Sequence, residues 1–201
     1  MTDVHADYVT VDELKSFLNV TSSDRDEQYA SLVREASRVL DRVTHRRFYL
    51  PTDDETKVYD IPDGSVLLFN DYLWSVTTVT NGDGTIITNS QYWLWPANSY
   101  PKMSIELKPS QGIVWLPNSS GDYKQVIQIA GQWGFMAEPD HTVKLAVKQL
   151  VSSLIVRQGN QGIRTKRIGE YLVTFQKMQR TDDLPADVQM VLGSLLEHVI
   201  A

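Results

Sequence analysis

Hydrophobic positions recur every three to four residues near both ends of the chain, as on the buried face of a helix. A capping box at Thr10–Glu13, whose hydroxyl and carboxylate satisfy free backbone N–H groups, predicts a short first helix that ends near Asn19. A Ser-Ser-Asp sequence at 22–24 predicts the cap of a long second helix, from about Asp24 to Thr44. That helix carries the strongest periodic signal in the chain, formed by Tyr29, Leu32, Val33, Ala36, Val39, Leu40 and Val43.

Two further helices are predicted in the last third of the chain. Glu138-Pro139-Asp140 opens a third helix, and Gly159 is placed to end it. Asp183 is placed to cap a final helix, with Pro185 near its first turn. The apolar positions are Val143, Ala146, Val147, Leu150, Val151, Leu154 and Ile155 in the third helix, and Leu184, Val188, Val191, Leu192, Leu195 and Val199 in the last.

Between Lys57 and Trp133 the hydrophobic period changes to two, which is typical of strands with one buried face. Asn81-Gly82-Asp83-Gly84 is the clearest turn, because Asn-Gly and Asp-Gly pairs form tight hairpins. We expect six to eight short antiparallel strands, as a small barrel or a folded-over sheet. Their predicted cores are Val58, Val66–Phe69, Val76–Val79, Ile86–Ile87, Tyr92–Trp95, Ile105–Leu107, Ile113–Leu116 and Val126–Ile129.

These patterns predict an α+β fold: a bundle of about four helices, with an antiparallel β-rich domain inserted between helices 2 and 3. We expect one helical part over residues 1–55, the β domain over 56–134 and a second helical part over 135–201. The second helical part includes an extended arm or loop at 158–183, which contains one brief strand-like run, Tyr171–Phe175.

Composition and charge exclude several classes of protein. The chain has no cysteine, which excludes disulfides, thiolate nucleophiles and cysteine-based zinc sites. The formal net charge of −6 gives no global attraction for nucleic acid. Met1–Tyr8 has no apolar segment and no long apolar run occurs elsewhere, so neither a signal peptide nor a membrane span is expected.

No arrangement of residues predicts catalysis. The sequence lacks both a Gly-x-Ser-x-Gly elbow and a phosphate-binding Gly-x-x-x-x-Gly-Lys-Ser/Thr loop. The histidines lie at His5, His45, His141 and His198, without metal-ligand spacing. We therefore expect no enzyme activity, no cofactor and no metal, with an unfamiliar active site as the alternative.

All five tryptophans lie in the strand-rich part of the chain, between Trp74 and Trp133. Trp93 and Trp95 share one face of a sheet by the period of two. Flat indole rings bury a large area at low entropic cost, so an exposed pair would form a protein-interface anchor or a sugar-stacking platform. Core packing is the third reading, and the sequence leaves all three open.

The stretch from Arg157 to Arg180, which covers most of the predicted arm, is strongly basic. It carries six basic residues against one acidic residue, Glu170, a charge of +5 within a chain of −6. Such a segment is compatible with a solvated loop, a phosphate-contacting arm, or an element that becomes ordered on an acidic neighbour. Tyr171 and Phe175 offer anchors that favour the last reading. The basic residues are Arg157, Arg164, Lys166, Arg167, Lys177 and Arg180.

Several short patterns also occur in a characteristic order. They are Val11–Leu18, the long helix that ends in Thr44-His45-Arg46-Arg47-Phe48-Tyr49, Pro139 with the third helix, Gly169-Glu170-Tyr171, and Leu184-Pro185 with the last helix. In order and spacing these patterns resemble the head-tail connector, or adaptor, family of long-tailed double-stranded DNA bacteriophages.

That resemblance implies a structural virion protein that forms a ring, typically of twelve subunits, beneath the portal. Such a ring bridges the portal to the stopper or tail and continues the DNA channel. The implied partners are further copies of the chain, the portal protein and a stopper or tail-completion protein, with non-specific proximity to double-stranded DNA and no membrane. The implied location is the head-tail interface of the virion, after assembly in the host cytoplasm.

The large β-rich insertion departs from the smallest members of that family, and its role stays open. A carbohydrate- or host-binding β module is the alternative function. We expect the basic arm to reach an adjacent subunit or the portal, and the last helix to be either a portal contact or bundle core. The candidate interface residues are Arg157, Arg164, Lys166, Arg167, Tyr171, Phe175, Leu195 and Val199, with Trp93 and Trp95 in the β domain.

Overall fold

In the part of the chain that the structure describes, four helices and a six-stranded antiparallel sheet make this an α+β protein, which confirms the predicted fold class. The computed structural model describes residues 7–158, 165–168, 171–174 and 184–196 of the 201-residue chain. The chain divides into two compact units. The helical unit comprises Met1–Arg46 with Pro139–Ala201, and the β unit comprises Arg47–Glu138.

The first helix, α1 (Val11–Leu18), begins at the predicted capping box. The Glu13 N–H donates to the Thr10 hydroxyl at 3.1 Å, and the Thr10 N–H donates to the Glu13 carboxylate at 2.9 Å. The helix ends at Asn19, whose backbone is left-handed with φ of 54°. Both predicted ends of this helix are therefore confirmed.

The second helix, α2 (Asp26–Thr44), ends as predicted but begins two residues late, and its predicted cap is wrong. The Ser22 hydroxyl donates to the Asp24 carboxylate at 2.6 Å, and the Asp24 N–H donates to the Ser22 hydroxyl at 3.2 Å. Because these groups bond to each other in a local turn, neither caps the helix. The helix follows Arg25, which makes no side-chain cap.

The core of the helical unit forms around α3 (His141–Gln158), which packs against α1, α2 and α4 (Ala186–Leu196). The Asp140 carboxylate accepts the Val143 N–H at 2.9 Å at the start of α3. Gly159 and Asp183, predicted to end α3 and to cap α4, lie outside the described residues. Buried side chains include Leu14, Leu32, Val33, Ala36, Leu40, Val143, Ala146, Val147, Leu150, Val151, Val188 and Leu192.

The β unit contains one sheet, in which all neighbouring strands pair in antiparallel fashion. The order across it is β1-β6-β2-β5-β4, with β3 beside β2, so β1 and β4 are the outermost strands of this path. The strands are β1 (Glu55–Tyr59), β2 (Val66–Thr80), β3 (Ile86–Ile87), β4 (Tyr92–Trp95), β5 (Lys102–Leu107) and β6 (Ile127–Trp133).

The long strand β2 merges two predicted strands, Val66–Phe69 and Val76–Val79. Its first half pairs with β5 on one side, and its second half pairs with β6 on the other. Each half thus has its own hydrogen-bonding partner, and between Leu68 and Leu73 the register with β5 shifts while the strand continues without a turn. The prediction of two strands was wrong for this reason.

The predicted strand Ile113–Leu116 is absent, because a side chain takes the place of a strand partner. The buried Asn81 amide donates to the Val114 carbonyl at 3.0 Å, and the Leu116 N–H donates to the Asn81 side-chain oxygen at 2.9 Å. The turn that begins at Asn81 is as predicted: the Gly84 N–H donates to the Asn81 carbonyl at 2.9 Å. It connects β2 to β3.

The chain enters and leaves the β unit side by side. The Phe135 N–H donates to the Arg47 carbonyl at 2.7 Å, and the Leu50 N–H donates to the Ala137 carbonyl at 3.4 Å. The core of the β unit includes the fully buried Trp133, whose indole donates to the Glu55 carbonyl at 2.9 Å. The unit therefore has paired ends and its own core.

A separate hairpin lies in the predicted arm. It pairs β7 (Thr165–Ile168) with β8 (Tyr171–Thr174) in antiparallel register. The strand-like run from Tyr171 is thus a strand as far as Thr174, and it has a partner strand that the sequence pattern did not indicate. None of the described helices is long and apolar enough to cross a membrane.

Candidate functional site

Trp93 and Trp95 lie on the edge strand β4, where strand register places them beside residues of β5 and β2. Directly opposed residues of antiparallel strands share one face of a sheet, so the register defines two rows across three strands. We call the surface formed by these two rows the tryptophan face. Its rows are Val66 with Glu106 and Trp93, and Leu68 with Ser104 and Trp95.

The period of two along each strand turns this face outward. The intervening residues Leu67 and Ile105 lie in the core, with exposed fractions of 5% and 0%. On the tryptophan face, the exposed fractions are 72% for Leu68, 45% for Trp93, 44% for Trp95 and 40% for Val66. Both tryptophans are therefore at the surface, which excludes the core-packing reading of this pair.

Two charged side chains orient the indole rings. The Trp95 indole N–H donates to the Glu106 carboxylate at 2.9 Å, along a diagonal of the same face. The Lys108 ammonium lies 5.6 Å from the centre of the Trp93 ring and donates to the Ser90 carbonyl at 2.7 Å. The face thus presents apolar surface with a carboxylate near one indole and an ammonium group near the other.

The loop after β4 is fixed against β5 by a buried lysine. The Lys102 ammonium donates to the carbonyls of Pro96 at 2.6 Å and Ala97 at 3.1 Å, and lies 4.5 Å from the centre of the Tyr100 ring. These bonds fix the loop that borders an open depression of about 480 Å³. The depression is lined by Trp93, Leu94, Trp95 and Ala97.

The chemistry of this face suits binding. Burial raises the pKa of Tyr92, the residue of β4 that precedes Trp93, so its phenol stays neutral at physiological pH. In the described part of the chain, no group of three His, Asp or Glu side chains could hold a metal ion. Exposed indoles beside a hydrogen-bonded carboxylate provide an apolar anchor site with one polar contact.

The predicted interface residues of the arm and of the last helix fall in several elements. Lys166 and Arg167 lie on β7, opposite Val173 and Leu172 of β8, and Tyr171 begins β8. The remaining predicted residues are Arg157 in α3, Leu195 in α4, and Arg164, Phe175 and Val199, which lie outside the described residues. Their roles at an interface stay predictions.

Sequence reasoning identified Trp93 and Trp95 but missed the other members of the tryptophan face. The sequence pattern predicts a strand core that includes Val66 and Leu68 but does not indicate which face they share, and it does not single out Glu106. The alternation of Val66-Leu67-Leu68 was uninformative, because all three residues are apolar. Only the pairing of β2 with β5 and of β5 with β4 reveals that these positions join the tryptophans.

The sequence matches no protein-family model and no curated protein. Among solved structures, it is similar to a chain in the "Neck of empty GTA particle computed with C6 symmetry", where GTA stands for gene transfer agent. The TM-score is 0.54 at 15% sequence identity, over 84% of this chain and 87% of that chain. The two chains share a fold, and because neither unit alone makes up 84% of this chain, the match includes residues of both.

Proposed function

We propose that this protein is a structural head-tail connector of a phage or phage-like virion, a ring-forming adaptor between the portal and the stopper or tail. One observation carries the proposal: the fold is shared, over most of both chains, with a chain from the neck of a gene transfer agent particle. The order of sequence patterns that resembles the connector family supports the same role independently. No catalysis is part of this role.

The symmetry of the similar structure bears on the proposed ring. A neck computed with C6 symmetry is compatible with rings of six or of twelve copies. We propose the dodecamer that the family resemblance implies, at the head-tail interface of the virion. The portal protein and a stopper or tail-completion protein are the proposed partners on its two sides.

The charge of the chain suits a channel through which DNA moves. A net charge of −6 gives the protein no overall attraction for the phosphate backbone. DNA then passes through the ring during packaging and ejection without being held. Contacts with DNA are non-specific in this proposal, since sequence readout would oppose sliding.

A closed ring needs two different contact surfaces on each subunit, because each copy touches one neighbour with one surface and the next neighbour with another. We propose that the basic arm, residues 157–180, supplies one of them. Its charge of +5 lies in a chain that is otherwise acidic, and it carries the aromatic side chains Tyr171 and Phe175. The last helix remains the second candidate for contact with the portal.

The proposal is tested with the purified chain, alone and mixed with the portal protein encoded by the same genome. Native mass spectrometry and negative-stain electron microscopy should detect rings whose copy number is compatible with sixfold symmetry, either free or bound to the portal. A chain that stays monomeric at every concentration and never binds the portal would contradict the connector role.

The arm is tested by Tyr171→Ala combined with Phe175→Ala, for which we expect a loss of rings or of portal-bound complexes. Tyr123→Ala is the matched control, because Tyr123 is an exposed aromatic residue of the β unit, 62% exposed, outside the arm. Normal yields of rings from the double variant would remove the arm from the interface.

A further inference from the structure

We propose that the tryptophan face of one copy receives the basic arm, residues 157–180, of a neighbouring copy. The inference rests on the proposed ring and names the surface to which the arm binds. The face is the outward side of strands β2, β5 and β4, where Leu68, Trp93 and Trp95 stand exposed.

The size of the face favours an occupant within a larger assembly. The exposed parts of its four apolar side chains amount to roughly 400 Å², within the range of the largest apolar patches on soluble proteins. A stable pairwise interface buries about 800 Å² on each partner, about twice as much. The face is therefore too small to hold a separate partner firmly, but a contact repeated around a closed ring is strengthened by all the other contacts of the ring.

The position of the face at the edge of the sheet also favours binding of another protein segment. Strand β4 is the last strand of its side of the sheet, and it exposes two tryptophans. Exposed aromatic edge strands are sites of association, which proteins usually protect with a covering element or with charge. Across its four residues, Tyr92–Trp95, β4 carries no charged side chain. A segment of another copy, bound over the tryptophan face, would shield this edge strand.

The composition of the arm matches the chemistry of the face. Indole rings attract arginine and lysine side chains over their π-faces, and the Glu106 carboxylate accepts charge-assisted hydrogen bonds from the same groups. The arm offers six such cations together with Tyr171 and Phe175, which supply apolar contact area for the indoles. Lys108 makes the Trp93 end of the face less favourable for cations, so we place them near Trp95 and Glu106.

The lack of cysteine makes the contact directly testable by disulfide cross-linking. One variant carries Leu68→Cys on the face, and the other carries Thr174→Cys on β8 of the arm. Mixed under conditions that give rings and then oxidised, the two should form a mixed disulfide dimer at least tenfold more efficiently than the control pair. The control replaces Leu68→Cys by Ile86→Cys, an exposed apolar residue on β3 of the same unit.

The face itself is tested by Trp93→Ala combined with Trp95→Ala in the Leu68→Cys variant. Because both side chains are nearly half exposed, we expect the β unit to stay folded, as monitored by its near-ultraviolet circular dichroism. Cross-linking to Thr174→Cys should fall about tenfold. Trp93→Phe with Trp95→Phe keeps flat apolar rings and should retain most of the cross-linking.

The outcomes separate this inference from the connector proposal. Rings that form without the 68–174 cross-link overturn the inference and leave the connector intact, whereas absence of both rings and portal binding overturns the connector. A disulfide found only within single chains that carry both cysteines would mean that the arm binds its own β unit, and would also overturn the inference. The inference would also be overturned if the protein bound glycans on an array through Trp93 and Trp95 and did not form the cross-link.

Discussion

Tyr59 places a phenol in the core of the β unit, where its hydroxyl makes no hydrogen bond within the described residues. The residue is 8% exposed. Burial, assisted by the nearby charge of Asp71, raises the pKa of Tyr59, so the hydroxyl keeps its proton. The ring packs between Phe69 and Trp133, with centroid distances of 5.8 Å and 6.2 Å. The ring therefore stabilises the core while the hydroxyl weakens it.

We predict that Tyr59→Phe leaves the stability of the β unit unchanged or raises it by about 1 kcal/mol, because an unpaired buried hydroxyl costs free energy. Tyr59→Ala, which also removes the ring, should cost about 3–5 kcal/mol. Urea unfolding followed by tryptophan fluorescence measures both, since all five tryptophans lie in the β unit. A loss above about 1 kcal/mol in the phenylalanine variant would indicate a partner for the hydroxyl.

Gly82 is required by close packing around the turn that follows β2. A Cβ atom at this position would overlap the Leu116 carbonyl oxygen and press against the Val126 side chain. The Leu116 carbonyl cannot move aside easily, because it belongs to a backbone segment that is hydrogen-bonded to the side chain of Asn81. The turn glycine is thus also a packing residue.

We predict that Gly82→Ala destabilises the β unit by about 2 kcal/mol or more, as expected for overpacking against backbone. Gly64→Ala is the matched control, because a Cβ atom at Gly64 meets no atom within 4 Å. The control should change the urea midpoint little. Equal midpoints for the two variants would show that the segment at Leu116 yields easily.

Among the secondary-structure elements, α1 depends on one carboxylate that serves two partners. Glu13 accepts the Thr10 N–H and also the Lys144 ammonium of α3, both at 2.9 Å. The backbone hydrogen bond from Thr10, followed by the side-chain bond from Lys144, lowers the pKa of Glu13 below its ordinary value of 4.5. The capping box therefore closes the helix start and attaches it to α3.

A carboxyl group whose pKa is lowered by folding stabilises the protein above its unfolded pKa, and this stabilisation is lost as the pH falls through the folded pKa. We predict that Glu13→Gln lowers stability by about 1 kcal/mol at neutral pH, as for the loss of a cap. As the pH falls through the lowered pKa of Glu13, the difference from wild type should shrink towards zero. Thermal unfolding followed at 222 nm checks this, and a difference that does not depend on pH would refute the role of the charge.

The success of sequence prediction also varied between elements. The helix α1 was predicted at both ends because its capping box and left-handed Asn19 are local signals. Two strand predictions failed because their causes are not local: β2 continues since β5 and β6 support its two halves. The segment Ile113–Leu116 has strand-like residues, but its backbone bonds to the side chain of Asn81, more than thirty positions away.

At the scale of the whole chain, the division into two compact units indicates that the β unit folds independently. Its ends are joined by backbone hydrogen bonds between Arg47 and Phe135 and between Leu50 and Ala137. Its core cluster, which includes Ile105, is formed by residues of the β unit alone. These features meet the usual requirements for a domain that folds alone.

We predict that residues 47–138, expressed alone, fold cooperatively, with a urea midpoint close to that of the β unit in the full chain. The measurement is tryptophan fluorescence of both proteins, with circular dichroism at 222 nm reporting the helical unit of the full chain. A fragment without a cooperative transition would mean that the helical unit is needed to fold the sheet.

Local patterns in the sequence were enough to predict the α+β class, the four helices of the described residues and the turn at Asn81, because periodicity and capping depend on neighbouring residues. The sequence also gives the basic charge of residues 157–180 directly. The tryptophan face required the fold. Its rows join Leu68 to Ser104 and Trp93 to Glu106 across three strands, and strand register depends on contacts between distant residues. The sequence placed Trp93 and Trp95 on one side of a strand, and packing of Leu67 and Ile105 into the core turned that side outward.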